Sequence, residues 1–204
     1  MPFAPYPTFT HFLFERMSEI FTDVKVSAKS QKFTPPLPLL ADDFEDFCPF
    51  FVLSNLDKYY KEPVFIIPAD SPFIKFETIK RLWEALLAPN LVNSVRAAGQ
   101  SREARGFGAL SPERKDGLGS SAQSNLKYHQ ISLPRAGERA HNLCGFFAPS
   151  VAKVARELIK NGERRAGALV NACDSVITEF ADAAQFLNLN TPQDIAKIDE
   201  KALF

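Results

Sequence analysis

An α/β domain with a largely parallel sheet is the fold class that this 204-residue sequence predicts. Two observations carry that expectation. Short unbroken apolar runs such as "VFII" (64–67) have the character of strands buried on both faces, as parallel strands are. Between them lie segments whose apolar residues recur at steps of three and four, the period of an amphipathic helix.

Taken in order, Phe9, Phe12, Leu13, Met17, Ile20 and Phe21 predict a first helix behind the capping candidates Thr8 and Thr10. "VKVSA" (24–28) predicts a short strand, and "LPLLADDFED" (37–46) a second apolar piece that runs into acids. "FFVLSNLDKYY" (50–60) predicts a helix, "VFII" a strand, and Ile74, Ile79, Leu82, Trp83 and Leu86 another helix. "YHQISL" (128–133) and "HNLCGFF" (141–147) predict strands joined by a turn-like "PRAGERA". A helix follows with Ser150 as its cap, Val151, Val154, Leu158 and Ile159 on one face, and Gly162 at its end. "SVITEF" (175–180) predicts a strand, and "TPQDIAKIDEKAL" (191–203) a terminal helix with Thr191 as N-cap and Pro192 in its first position.

All 204 residues are expected to form one domain, since 46% apolar and 24% charged residues are ordinary for a globular core. Residues 91–140 stand apart. They are rich in Gly, Ser, Ala and Arg, and eight Lys/Arg against four Asp/Glu give them a charge of +4 in a chain that is neutral overall. A low-hydrophobicity basic insertion or loop is expected there, because so few large apolar side chains cannot order a segment by their own burial, with a basic arm that folds over an anionic ligand as the other reading. The overall neutrality gives no argument for nucleic acid or a membrane surface as partner, and neither is expected. Three scattered cysteines, Cys48, Cys144 and Cys173, form no metal spacing and no disulfide framework, and suit a reducing compartment. With no apolar stretch of membrane-span length and no signal-peptide pattern at the start, the expected location is the cytoplasm.

Asp70, one step past "VFII" and set between Pro68 and Pro72, is the first chemical candidate. Open parallel sheets bind ligands at the carboxyl ends of their strands. A carboxylate there suits Mg²⁺, which takes one or two carboxylates plus substrate phosphates. Pattern alone leaves a second reading equally open, in which Asp70 caps the helix that follows. The acids of "ADDFED" (41–46), Asp42 among them, are either a solvated loop or a second carboxylate at the same edge. The arginines of "GERR" (162–165) either complement a helix dipole or grip a phosphate. His11, His129 and His141 form no spaced pair, so hydrolytic nucleophile chemistry has no support.

Together "VKVSAKS", "LPLLADDFED", "VFIIPADSPF", "HNLCGFF", "NGERR" and "FLNLNTPQDIAK" resemble, in order, the blocks of the molybdenum cofactor guanylyltransferases. The resemblance covers most of 8–90 and 141–204. It implies a Rossmann-like three-layer nucleotidyltransferase fold, and transfer of GMP from GTP to molybdopterin with release of pyrophosphate. By that match Asp70 is the catalytic residue that holds Mg²⁺ and GTP phosphates, and Ser27 and Asp42 are nucleotide contacts. Arg165, Asn188 and Asn190 hold the molybdopterin. The implied partners are GTP, molybdopterin, and other proteins of molybdenum cofactor biosynthesis or chaperones of molybdoenzymes.

The family pattern also opens with a strand and a Gly-rich turn of the type LAGGxSxRMGxDKAL, whose amides cradle phosphates. No segment of this chain matches it, "CPFFV" stands where a small GPLAG-like turn is expected, and the insertion at 91–140 has no counterpart. The first strand of the sheet is therefore expected to be missing, with unpaired edges left behind. Either the start is assigned too far downstream or this is a truncated copy, and little transferase activity is expected. The alternatives are a non-catalytic homologue that binds a partner or pterin, and a related cytidylyl- or sugar-phosphate nucleotidyltransferase.

Overall fold

The computed structural model of the chain describes residues 3, 5–41, 49–97, 128–189 and 194. The first helix, α1 (Phe9–Ser18), begins at Thr8, whose side chain accepts a hydrogen bond from the His11 amide. Strands β1 (Val26–Ala28) and β2 (Leu39–Ala41) follow, and then two short helices, α2 (Pro49–Leu53) and α3 (Leu56–Tyr59). The single helix expected over 50–60 is interrupted at Ser54 and Asn55, whose side chains both donate back to the Phe51 carbonyl. Such local side-chain bonds compete with the helical ladder.

Next come β3 (Val64–Ile66), α4 (Phe76–Ala97), β4 (Ile131–Ala136), β5 (Arg139–Ala140) and β6 (Gly145–Phe147). The last described elements are α5 (Val151–Lys160), α6 (Ala166–Ala172), β7 (Ser175–Glu179) and a 3-10 turn at Ala184–Phe186. Helix α4 thus carries regular structure into the segment read as an insertion, to Ala97, and β4 and β5 occupy its far end. Residues 98–127 and the expected terminal helix, Asp194 apart, lie outside the described residues.

The chain is mixed α/β. One sheet has the order β3-β6-β4-β5, with β7 also paired to β4, and a separate pair joins β1 to β2. The β1·β2 and β4·β7 pairings are parallel, whereas β6 lies antiparallel to both β3 and β4. It follows that β3, β4 and β7 run in one direction, with β6 reversed between them.

Two cores cover the sheet. Phe65, Ile67 and Phe146 pack with Leu13, Met17, Ile79, Leu82 and Leu86 of α1 and α4. Val64, Ile66, Ile131, Leu133 and Phe147 pack on the other side with α2, α3, α5 and α6. The alternation of β3 residues between these clusters is what burial on both faces requires, and it explains why the strand is apolar throughout.

Ser132 is fully buried among apolar neighbours, and its hydroxyl donates to the Leu82 carbonyl at 2.7 Å, linking β4 to α4. Ser132→Ala is expected to lower stability by about 1 kcal/mol, the usual net worth of a hydrogen bond, as read by urea unfolding.

Helix α5 ends as its sequence suggests. Gly162 takes a φ of +77°, and the Glu163 amide reaches back to the Leu158 carbonyl at 2.9 Å. Its start differs from expectation. Ser150 makes no side-chain cap and instead accepts a bond from Gln130 Nε2 at 3.0 Å, because Ser150 is itself in helical conformation.

Candidate functional site

Among the described residues, β1 and β3 are each paired on one edge only. Between them opens a cleft of about 1010 Å³, lined by β1, by the end of β3 and the loop that follows it, and by α1. Phe9, Leu13, Met17, Leu53 and Ile66 make its floor apolar.

The polar rim is built from three loops. Asp70 and Ser71 follow β3, Asn188 follows the 3-10 turn, and His141 and Asn142 follow β5, on which Arg139 lies. These loops are fastened to one another. The Leu189 amide donates to the Asp70 carbonyl at 2.8 Å, and Ser71 Oγ donates to Asn188 Oδ1 at 3.0 Å. A turn from the Ser71 amide to the Pro68 carbonyl, at 3.1 Å, holds the loop's shape. From α1, Arg16 adds a clamp by donating to the carbonyls of Pro72 and Ile74. Nothing in the local pattern around Arg16 announces this role, since the contacts span more than fifty residues.

The Arg16 guanidinium is partly buried and meets two backbone acceptors that would lose their partner on its removal. Arg16→Met is expected to cost about 1–3 kcal/mol, the range for a charged hydrogen bond or an unsatisfied buried acceptor. Urea unfolding measures this, and faster amide exchange at Ser71 would localise the loosening to the Asp70 loop.

Asp70 is half-buried and lines the cleft, and among the described residues its carboxylate has one hydrogen-bonding neighbour, Ser71 Oγ at 3.3 Å, whose single proton is shared with Asn188 Oδ1. It does not cap α4. That helix starts at Phe76, and the Gln185 Oε1 at its entrance accepts from the Lys75 amide at 3.4 Å and from Thr78 Oγ1 at 2.5 Å. The capping alternative for Asp70 is thereby set aside.

Of the other expected site residues, Ser27 on β1 and Asn188 line the same cleft as Asp70. Arg165 does not line it. Its guanidinium is 85% exposed and wraps onto Glu163, with Nη2 donating to Oε2 at 2.6 Å and Nε to Oε1 at 3.0 Å. That pairing, reinforced by the amides of Arg165 and Arg164, holds the Glu163 carboxyl down at about 2. Asp42 and Asn190 lie outside the described residues.

His141 and Arg139, absent from the sequence-based set, do line the cleft. The His141 ring stacks on the buried Phe186 ring, centroids 4.5 Å apart and 21° from parallel. Burial first, and then the charge of Arg139, hold its pKa below the usual histidine value. Their one signal in the sequence is a spacing of two on a strand, too common to single them out. Cys144 and Cys173 serve packing, since burial pushes their thiols up to about 12 and about 11. Among the described residues no cluster of three or more His, Cys, Asp or Glu could hold a metal by itself, and no helix is long and apolar enough to cross a membrane.

The chain is similar in sequence to molybdenum cofactor guanylyltransferases over nearly its whole length. It is 26% identical over 195 residues to that of Campylobacter jejuni, a match covering 94% of this chain and 82% of the relative. The Helicobacter pylori counterpart is 23% identical over 196 residues, covering 95% and 77%. A crystal structure of a protein from Aquifex aeolicus shares the fold, with a TM-score of 0.57 and 23% identity over 88% of this chain and 79% of that one. No family model matches the chain.

Proposed function

We propose that this chain carries out guanylyl transfer, joining GMP from GTP to the terminal phosphate of molybdopterin and releasing pyrophosphate. The observation that carries the reading is the placement of Asp70. It is a carboxylate without an ion pair among the described residues, at the end of β3, on a loop tied to Asn188 and clamped from α1. The names of the relatives, at 22–26% identity, supply the substrates.

Asp70 fits Mg²⁺ in the manner usual for that ion, as one carboxylate to which substrate phosphates add the remaining oxygens. When bound, the ion would neutralise phosphate charge. The chain's own residues do the positioning. Asp70 fixes where the charged part of the nucleotide sits, and Ser27 on the opposite wall offers a hydroxyl to its sugar or base. Asn188, whose carbonyl oxygen is already used by Ser71, has its amide nitrogen left for the acceptor. Alignment of the attacking phosphate with the α-phosphate supplies the rate, because phosphoryl chemistry asks mainly for position and charge neutralisation. Arg165 would have to leave Glu163 to meet a substrate, so it is not counted among the groups that hold the reacting phosphates.

No segment of the 204 residues matches the LAGGxSxRMGxDKAL pattern of the family's phosphate-binding turn. Transfer by these residues alone is therefore proposed to be slow, and faster when such a turn is supplied. The test is pyrophosphate release from GTP with Mg²⁺ and molybdopterin, by this chain and by a fusion carrying the family's Gly-rich turn. Acceptor-dependent release that rises at least about 100-fold in the fusion is expected, as for restored amide donors to a transferring group. Failure of both proteins to release pyrophosphate in an acceptor-dependent way would refute guanylyl transfer. Equal rates would refute the need for the turn.

A further inference from the structure

The cleft has two cationic side chains, Lys25 and Arg139, and they are differently placed. Lys25 is engaged by Asp23 at 2.7 Å and lies over the Tyr60 ring. Arg139 has no ion pair or hydrogen bond to its side chain among the described residues. It sits on the short strand β5, and two residues on, His141 continues the ladder by donating its amide to the Pro134 carbonyl at 3.0 Å. Residues two apart on extended chain send their side chains to one side.

The His141 backbone is fixed at both ends, since its carbonyl accepts from the Cys144 amide at 3.0 Å. Its ring is fixed by the stack on Phe186, which in turn abuts Phe180. An unpaired guanidinium beside a rigid imidazole is a natural receptor for a phosphate, with two forked N–H donors from the arginine and one ring N–H from the histidine.

We propose that Arg139 and His141 form a subsite for a phosphate monoester, the terminal phosphate of the acceptor, on the rim that also carries Asn188. The identity of the ligand rests on the guanylyl-transfer reading, whereas the existence of the subsite does not. It gives the acceptor a cation of its own, apart from the Asp70 side of the cleft, so that two anionic substrates approach with separate neutralising partners. The charged groups lining the cleft around the ring are Arg139, Lys25 and Asp70. A phosphate seated there offsets Arg139 and favours the protonated ring, so the pKa of His141 rises on binding.

Inorganic phosphate is the probe, titrated into the full chain at pH 7 with the histidine ring resonances followed by NMR. His141 is assigned by its loss in His141→Gln. A saturable shift of the His141 signals is expected, with affinity at least tenfold weaker in Arg139→Gln and unchanged in Lys160→Gln, whose side chain lies outside the cleft. A shift that does not saturate, or one equally strong in Arg139→Gln when that variant keeps its wild-type melting temperature, overturns the subsite. Mg²⁺ and GTP are then added to the phosphate-bound protein. Persistence of the His141 shift supports assignment to the acceptor, and its reversal by GTP overturns it. If calorimetry shows that GTP with Mg²⁺ does not bind at all while phosphate binds through Arg139, the subsite stands and the guanylyl-transfer reading falls.

Discussion

Gly145→Ala lowers the melting temperature by roughly 6–20 °C, the expected result of a loss of about 3–5 kcal/mol in a chain of this size. Two independent costs add at this position. A Cβ would stand 2.2 Å from the Ser132 carbonyl oxygen and 2.9 Å from a Leu133 methyl group, and the first of these atoms is backbone that cannot rotate away. The φ of +152° also lies where a side chain is strained. Gly145 opens β6, the strand that bonds to both β3 and β4, and it sits opposite Ile66. Moving it aside would disturb Phe146 in one core and Phe147 in the other. Thermal unfolding followed by circular dichroism measures the effect, and a change under about 2 °C would mean that β6 can shift without cost.

Much of the architecture is legible in the sequence because burial leaves a periodic trace. The three- and four-residue steps of α1 and α4 and the unbroken "VFII" of β3 report which faces are covered, and the structure covers them. Strand direction leaves no such trace. β6 is as apolar as a parallel strand, yet it runs antiparallel to its neighbours, since the short connections before and after it decide its direction. Side-chain partners are equally silent when they come from far along the chain. Asp70, Ser27 and Asn188 could be placed by their positions in recognisable blocks. Arg16 and His141 acquire their settings only through contacts with Pro72, Ile74 and Phe186. Arg165 illustrates the converse. Its neighbour Glu163, two residues away, binds it more closely than any distant group, and a reading by residue type alone passes over that competition.

Asp70→Asn separates chemistry from structure at the centre of the cleft. The substitution keeps the size of the side chain and an oxygen able to accept from Ser71, while it removes the negative charge. Among the described residues the carboxylate has no ion pair to lose, and the carbonyl that receives the Leu189 amide belongs to the backbone. Stability is therefore expected to change by no more than about 0.5 kcal/mol, as for surface substitutions away from buried networks. Transfer is expected to fall by about 10²–10³, comparable to loss of one group that stabilises charge in a transition state. The Mg²⁺ concentration needed for half-maximal rate should rise with it, because a neutral amide is a poor ligand for a hard cation. Paired urea melts and pyrophosphate-release assays across a Mg²⁺ series, in the form of the protein that supports turnover, decide the matter. A structural Asp70 would give the opposite pattern, with lowered stability and an unchanged response to Mg²⁺, and that outcome would remove the carboxylate from the reaction.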